Sequence, residues 1–161
     1  MASAARFTVA GLFGMAMLAT PALADELTYV NARFGTQFTL PAHMFTQIAP
    51  PPENGDGITM TGENGTVLAV FGAFNALGET ARQMRDRIEQ GRKTAGDSVT
   101  YRASGENWLV VSGHAGDMIY YERHEFGADD TIHSAAILFP PEMRARFEPL
   151  VEQFARRLSG P

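Results

Sequence analysis

The chain has no cysteine, and it carries a single lysine, Lys93, and a single tryptophan, Trp108, among its 161 residues. The missing cysteine excludes a disulfide framework, a thiolate metal site and a cysteine nucleophile. The 18 acidic residues outnumber the 13 basic ones, which gives a formal net charge of −5. This balance argues against nucleic acid or anionic lipid as partners, because both are held mainly by clustered Lys and Arg. The length and the apolar content of 45% predict one folded domain.

Motifs of the common enzyme classes are also missing. The sequence contains no P-loop, no Rossmann glycine pattern and no H-E-x-x-H motif. Ser104 and Ser112 each precede a glycine, but both are expected at the ends of hairpin strands, whereas a hydrolase nucleophile of the G-x-S-x-G type needs a strand–turn–helix elbow. We therefore predict no catalytic residues and favour a non-enzymatic domain.

One long apolar run is present, and it lies at the N-terminus. Arg6 precedes the apolar residues 7–18, a run shorter than the roughly 20 residues that cross a bilayer. Ala22 and Ala24 supply the small side chains that signal peptidase requires. The pattern predicts a signal peptide over residues 1–24, cleaved after Ala24, and a periplasmic domain over residues 25–161. No second apolar run is long enough to span a membrane.

The rest of the chain alternates short β-prone runs with two helical patterns. We predict strands over residues 27–34, 37–40, 58–61, 66–72, 98–102, 108–112, 118–126 and 132–139. Asn64-Gly65 predicts a hairpin turn, because both residues tolerate positive φ. Short connections between the last four strands predict an antiparallel meander. The expected fold is α+β, an antiparallel sheet packed by two helices in ββββ-α-ββββ-α order.

Each predicted helix has one apolar face. Thr80 and Gln83 have the spacing of a capping box at the start of the first helix. The final helix carries six apolar residues on one face: Met143, Phe147, Leu150, Val151, Phe154 and Leu158. Because proline is disfavoured deep inside a helix, we expect its main part to begin near Pro149. Arg157 is expected on its polar face.

Two sequence patterns resemble those of a known group of proteins. Residues 29–35 read Y-V-N-A-R-F-G, and residues 54–57 read N-G-D-G. Together with residues 101–113 and the final helix, these segments resemble a group of uncharacterised exported bacterial proteins. The order of elements is more distantly similar to the PsbP/Mog1/DcrB-like α/β/α sandwich. The resemblance implies export and this fold, and it carries no site residues with it.

Two histidines and a carboxylate form the only metal site that can be constructed from the strand pattern. If residues 127–130 form a four-residue loop, His124 faces His133 across two strands, and Glu122 shares their face. Two imidazoles and one carboxylate suit Zn²⁺ or Cu²⁺. An incidental pair of histidines on a solvated face is the alternative.

Three further features have both a structural and a functional interpretation. Asn54, Asp56 and Glu63 partly match the spacing of an EF-hand, but Pro52 stands where the first ligand belongs, so a turn explains the segment better. Four aromatic residues fit either a core or a ligand groove: Trp108, Tyr120, Tyr121 and Phe126. Arg33 is expected to anchor the N-terminal strand by capping carbonyls or by pairing with a buried acid, and ligand recognition is the alternative.

These observations favour an exported domain that binds a protein partner or a small ligand in the periplasm. The alternative is a metal-binding or metal-dependent periplasmic protein that uses His124, His133 and Glu122.

Overall fold

The computed structural model describes residues 25–161, so the predicted signal peptide lies outside the described residues. Within these residues, ten strands alternate with a small number of helices. The strands are β1 (Glu26–Val30), β2 (Gln37–Pro41), β3 (Phe45–Ile48), β4 (Gly57–Gly62), β5 (Val67–Phe74), β6 (Ser98–Ser104), β7 (Trp108–Ala115), β8 (Met118–Phe126), β9 (Thr131–Phe139) and β10 (Leu158–Ser159). The helices are α1 (Ala81–Thr94), α2 (Arg144–Val151) and α3 (Phe154–Arg157), and short 3₁₀ turns precede β3 and α2.

The strands form two sheets in separate layers. Seven of them form an antiparallel sheet in the order β3-β4-β5-β9-β8-β7-β6, and three form a small sheet in the order β1-β2-β10. The predicted α+β class and the meander from β6 to β9 are confirmed. The small sheet, α2 and α3 pack on one face of the large sheet, and α1 packs on the other. We name these the α2 face and the α1 face.

Local sequence signals account for the best-predicted elements. Asn64 and Gly65 adopt φ values of 52° and 76° between β4 and β5, which confirms the hairpin. Helix α1 begins with the predicted capping box, in which Gln83 N donates to Thr80 Oγ1 and Thr80 N donates to Gln83 Oε1. Two orphan backbone donors of the first turn are thereby satisfied.

The predicted element order is wrong in detail, because two short strands, β3 and β10, are absent from it. The first strand ends at Val30 rather than at Phe34, since Asn31 accepts hydrogen bonds from the backbone amides of Arg33 and Phe34 and so starts a turn. Strand β10 has only two residues, a length at which alternation of side chains gives no signal.

The start predicted for the final helix is also wrong, because α2 begins at Arg144 and contains Pro149. The proline falls in the last turn of an eight-residue helix, so it removes one backbone hydrogen bond before the helix ends. The predicted helix is divided into α2 and α3, and Leu158 belongs to β10. The burial of its apolar side chains is confirmed, because Phe147, Leu150, Phe154 and Leu158 lie in one core cluster. Arg157 is not a free polar residue, because it donates to Glu26 Oε1 and to the carbonyl oxygen of Thr39.

Alternating side chains divide the sheet between two cores. On the α2 face, Leu68 and Val70 of β5 and Ile137 of β9 are almost fully buried. On the α1 face, Leu109 and Val111 of β7 pack with Ala81 of α1. Among residues 25–161, no helix is long and apolar enough to cross a membrane.

Candidate functional site

The two histidines of the predicted metal site lie on opposite faces of the sheet. His124 pairs with Ser134, and His133 pairs with Glu125. The predicted register is therefore wrong by one residue, and a shift of one residue moves a side chain to the other face. His124 and Glu122 remain together on the α1 face, with 3.4 Å between His124 Nε2 and Glu122 Oε2.

The turn before β9 explains the shifted register. Asp129 and Asp130 both adopt a φ of 54°, and Gly127 N donates to the carbonyl oxygen of Thr131. Phe126 consequently pairs with Ile132 rather than with Thr131. Two consecutive left-handed aspartates are uncommon, so the sequence favours the shorter loop.

His133 has a structural role on the α2 face. Its side chain is 1% exposed, and Nδ1 lies 2.8 Å from Thr36 Oγ1. The carbonyl oxygen of Pro161 lies 3.4 Å from Nε2. Within residues 25–161 no three or more His, Asp or Glu side chains are grouped as metal ligands. Binding of Zn²⁺ or Cu²⁺ stays a prediction, but the three-ligand centre behind it is not assembled.

A buried row of polar side chains crosses the α1 face. Ser134 Oγ lies 2.8 Å from His124 Nδ1, Glu122 lies beyond the imidazole, and Arg92 Nε of α1 donates to Glu122 Oε1 at 3.2 Å. Burial raises the pKa of Glu122, but the hydrogen bond from His124 and the charge of Arg92 outweigh burial, so the pKa lies below its ordinary value. The row therefore holds an ionised carboxylate beneath α1.

A serine, a histidine and a carboxylate in a row resemble a hydrolase triad in composition but not in surroundings. Ser134 is 1% exposed and lies in β9, which pairs with β5 on one side and β8 on the other. The backbone amides around it are used in the sheet, so none is left to stabilise an oxyanion. The row instead fastens α1 to the sheet through Arg92, whose guanidinium also stacks 4.0 Å from the ring centroid of Tyr120.

The sequence pattern of residues 29–35 organises a loop rather than a catalytic site. Asn31 is 3% exposed, and its Nδ2 donates to the carbonyl oxygen of Gly55 at 2.9 Å. Arg33 Nη1 donates to the carbonyl oxygen of Asn54 at 2.7 Å. The expectation that Arg33 caps a carbonyl is confirmed, and the two segments of the resemblance are in direct contact. Sequence reasoning missed the central role of Asn31.

The segment that partly matches an EF-hand is a turn. Gly55 adopts a φ of 64°, its amide donates to the carbonyl oxygen of Pro52, and Asn54 Nδ2 donates to Asp56 Oδ2. Glu63 is engaged elsewhere, because it pairs with Arg146 at 2.8 Å. Asp56 and Glu63 therefore have separate structural partners.

A cleft on the α2 face is a candidate binding site. It has a volume of about 170 Å³ and lies between α2 and the strands β6 to β9. Its floor and walls come from five elements: Thr100 of β6; Ser112, Gly113 and His114 of β7; Ile119 and Tyr121 of β8; Phe139 of β9; and Arg144, Glu148 and Val151 of α2. Helix α2 spans only about 12 Å, so it covers the middle of the sheet and leaves this end open.

The cleft combines an apolar surface with ionisable side chains. Ile119, Phe139 and Val151 supply the apolar part, while Arg144, Glu148 and His114 reach it from opposite sides. Within residues 25–161, none of these three ionisable side chains has an ion-pair partner. Concave sites that combine an apolar surface with polar groups in this way are typical of ligand pockets.

The predicted aromatic residues divide between core and cleft. Tyr120 is 2% exposed in the core under α1, as the structural interpretation expects. Tyr121 lines the cleft, and burial raises its pKa. Trp108 lies under Arg123, with 4.9 Å from the guanidinium carbon to the ring centroid. No sequence pattern indicated Arg144 or Glu148, because they enter the site only through the packing of α2.

Comparison with known proteins identifies the fold and nothing finer. No protein-family model and no curated protein matches the sequence. The fold is that of a PsbP-like α+β protein. Among solved structures, the chain is similar to the solution structure of cyanobacterial PsbP (CyanoP) from Synechocystis sp. PCC 6803, with a TM-score of 0.59 and 10% sequence identity. The match covers 94% of this chain and 100% of the PsbP chain. This agrees with the distant fold resemblance inferred from the order of elements.

Proposed function

We propose that the protein is an exported, non-enzymatic domain that binds a small ligand in the periplasm through the cleft beside α2. The observation that carries the proposal is the set of unpaired ionisable side chains, Arg144, Glu148 and His114, around an apolar floor. Ligand pockets for drug-sized molecules measure about 300–1,000 Å³, so a cleft of about 170 Å³ suits a smaller molecule.

The non-enzymatic part of the proposal rests on the buried polar row. Ser134, His124 and Glu122 are all buried, and they are committed to holding α1. The cleft itself contains Ser112, but its hydroxyl donates to the carbonyl oxygen of Tyr120 at 2.8 Å. The serine of the cleft is thus used structurally, and among the described residues no hydrogen bond joins it to His114, the histidine of the same cleft, which a base would need in order to activate it.

The binding proposal is tested by thermal unfolding of residues 25–161 against a panel of amino acids, short carboxylic acids, sugars and inorganic anions. A ligand that binds the folded state raises the midpoint of unfolding. Thr100→Trp places an indole in the cleft and should remove the shift. Thr46→Trp, at an exposed position of the edge strand β3, should retain it. A shift that survives in Thr100→Trp, or a panel without any shift, contradicts the proposal.

Export is tested separately. Arg6, the apolar residues 7–18 and Ala22 with Ala24 support removal of residues 1–24. N-terminal sequencing of protein from the periplasmic fraction of a bacterial host should begin at Asp25. A chain recovered in the cytoplasmic fraction with residues 1–24 attached contradicts the localisation but leaves the binding proposal intact.

A further inference from the structure

The arrangement of charges in the cleft identifies a class of ligand. Arg144 and Glu148 are four residues apart on α2, so their Cβ atoms are separated by about 5–6 Å and both side chains lie on the same side of the helix. Neither pairs with the other, although side chains at this spacing can do so. Both instead line the cleft.

Two neighbouring arginines of the same segment behave differently. Arg146 pairs with Glu63 at 2.8 Å, and Arg157 pairs with Glu26 at 3.0 Å. Arg144 and Glu148, which are both exposed and form no ion pair within residues 25–161, therefore present one cation and one anion to the same small volume. A ligand with one negative and one positive group close together satisfies both without leaving a charge unpaired.

The remaining surface of the cleft indicates which group the ligand carries beside its two charges. Ile119, Phe139 and Val151 form an apolar surface beside the two charges, and Phe139 is 3% exposed. His114 and Tyr121 add polar groups on the strand side. A carboxylate and an ammonium on one carbon atom, with an apolar side chain attached to that carbon, match this distribution.

We propose that the cleft binds a free α-amino acid with an apolar side chain. Arg144 binds the carboxylate, Glu148 binds the ammonium group, and the side chain lies against Ile119, Phe139 and Val151. This inference rests on the proposed function, since it specifies the ligand of the same cleft. The inference goes further than the proposed function because it requires the ligand to carry both a positive and a negative charge.

Calorimetric titration of residues 25–161 with three related compounds tests the inference. L-Leucine carries both charges, N-acetyl-L-leucine lacks the ammonium group, and L-leucinamide lacks the carboxylate. We expect L-leucine to bind at least about tenfold more tightly than either analogue, because each analogue lacks one of the two charge-assisted contacts.

Two variants and two matched controls locate the binding. Arg144→Gln and Glu148→Gln should each weaken L-leucine binding by about tenfold or more, since each removes one charge-assisted contact. Glu152→Gln and Arg156→Gln change exposed residues further along the chain that do not line the cleft, and they should bind as the wild type does. Circular dichroism of each variant checks that it is folded.

The outcomes separate this inference from the proposed function. Equal binding of L-leucine and N-acetyl-L-leucine, or L-leucine binding that Arg144→Gln leaves unchanged, overturns the amino-acid inference. If another member of the panel then binds and Thr100→Trp removes that binding, the cleft remains a ligand site. If no compound binds to the wild type, both proposals are overturned.

Discussion

The side-chain amide of Asn31 donates a hydrogen bond of 2.9 Å to the carbonyl oxygen of Gly55, 24 residues further along the chain. The same side chain donates to Tyr29 Oη and accepts from the backbone amides of Arg33 and Phe34. One buried side chain thus closes the turn after β1 and holds the loop before β4. All of its hydrogen-bonding groups are satisfied.

We expect Asn31→Ala to destabilise the protein by on the order of 3 kcal/mol, because it removes four hydrogen bonds of a buried side chain, including the one that satisfies the buried amide of Phe34. Asn31→Asp keeps the two accepted hydrogen bonds but places a carboxylate oxygen against the carbonyl oxygen of Gly55 at a buried position, so it should be destabilising as well. Urea unfolding gives both values. Asn107→Ala, at an exposed position, should change the free energy of unfolding by less than about 0.5 kcal/mol. A cost for Asn31→Ala no larger than that of Asn107→Ala contradicts this role.

Replacement of two glycines by alanine should change the stability of the protein in opposite directions. A Cβ atom at Gly72 of β5 would lie 2.6 Å from Phe34 Cγ and 2.7 Å from Thr36 Oγ1. Gly72→Ala should therefore cost about 1–3 kcal/mol through overpacking. Gly91 lies in α1, and a Cβ atom added there would have nothing within 4 Å, so Gly91→Ala should stabilise the protein by about 0.5–1 kcal/mol. Thermal unfolding measures the change in stability of each variant. If both variants are stabilised or both are destabilised, the packing argument is wrong.

The core on the α2 face depends strongly on Phe154. This ring is 0% exposed and makes edge contacts with Phe38 and Tyr121 at centroid distances of 5.0 and 5.1 Å. Phe154→Ala should cost about 3–5 kcal/mol. Arg157→Ala should cost about 1 kcal/mol, because it removes the hydrogen bond to the carbonyl oxygen of Thr39. The exposed Arg156→Ala should be close to neutral, and a larger loss there than at Phe154 contradicts the assigned helix face. Urea unfolding compares the three variants.

Local signals predicted those parts of the fold that local interactions determine. The capping box of Thr80 and Gln83 and the positive φ of Asn64 and Gly65 act within four residues, so they are visible in the sequence. The apolar face of the final helix was visible for the same reason. The predicted order of elements resembled a PsbP-like sandwich, and the fold agrees with that resemblance although the predicted order lacked β3 and β10.

The candidate site was less predictable, because it depends on contacts between distant segments. The cleft needs α2 placed against β7 and β8, and no periodicity within α2 indicates which strands it meets. The pairing of His124 with Ser134 depends on two left-handed aspartates, Asp129 and Asp130, which sequence preferences disfavour. Because the true register differs from the predicted one by a single residue, His133 lies on the opposite face of the sheet from His124 and has a structural role.

The carboxylate under α1 should make stability depend on pH in the acid range. Folding lowers the pKa of Glu122. The ionised carboxylate therefore stabilises the folded state at pH values above the ordinary pKa of a glutamate, which is about 4.3. That stabilisation is lost as the pH falls through the lower pKa of the folded state, where protonation weakens the contacts with His124 and Arg92.

We therefore expect Glu122→Gln to be less stable than the wild type near neutral pH and to lose less stability between about pH 7 and about pH 3. A glutamine still accepts a hydrogen bond from Arg92, so the variant tests the charge rather than the shape of the side chain. The exposed Glu152→Gln should keep the pH dependence of the wild type. Urea unfolding across this pH range measures all three proteins. If Glu122→Gln and the wild type lose stability in parallel as the pH falls, the buried carboxylate is not what fastens α1 to the sheet.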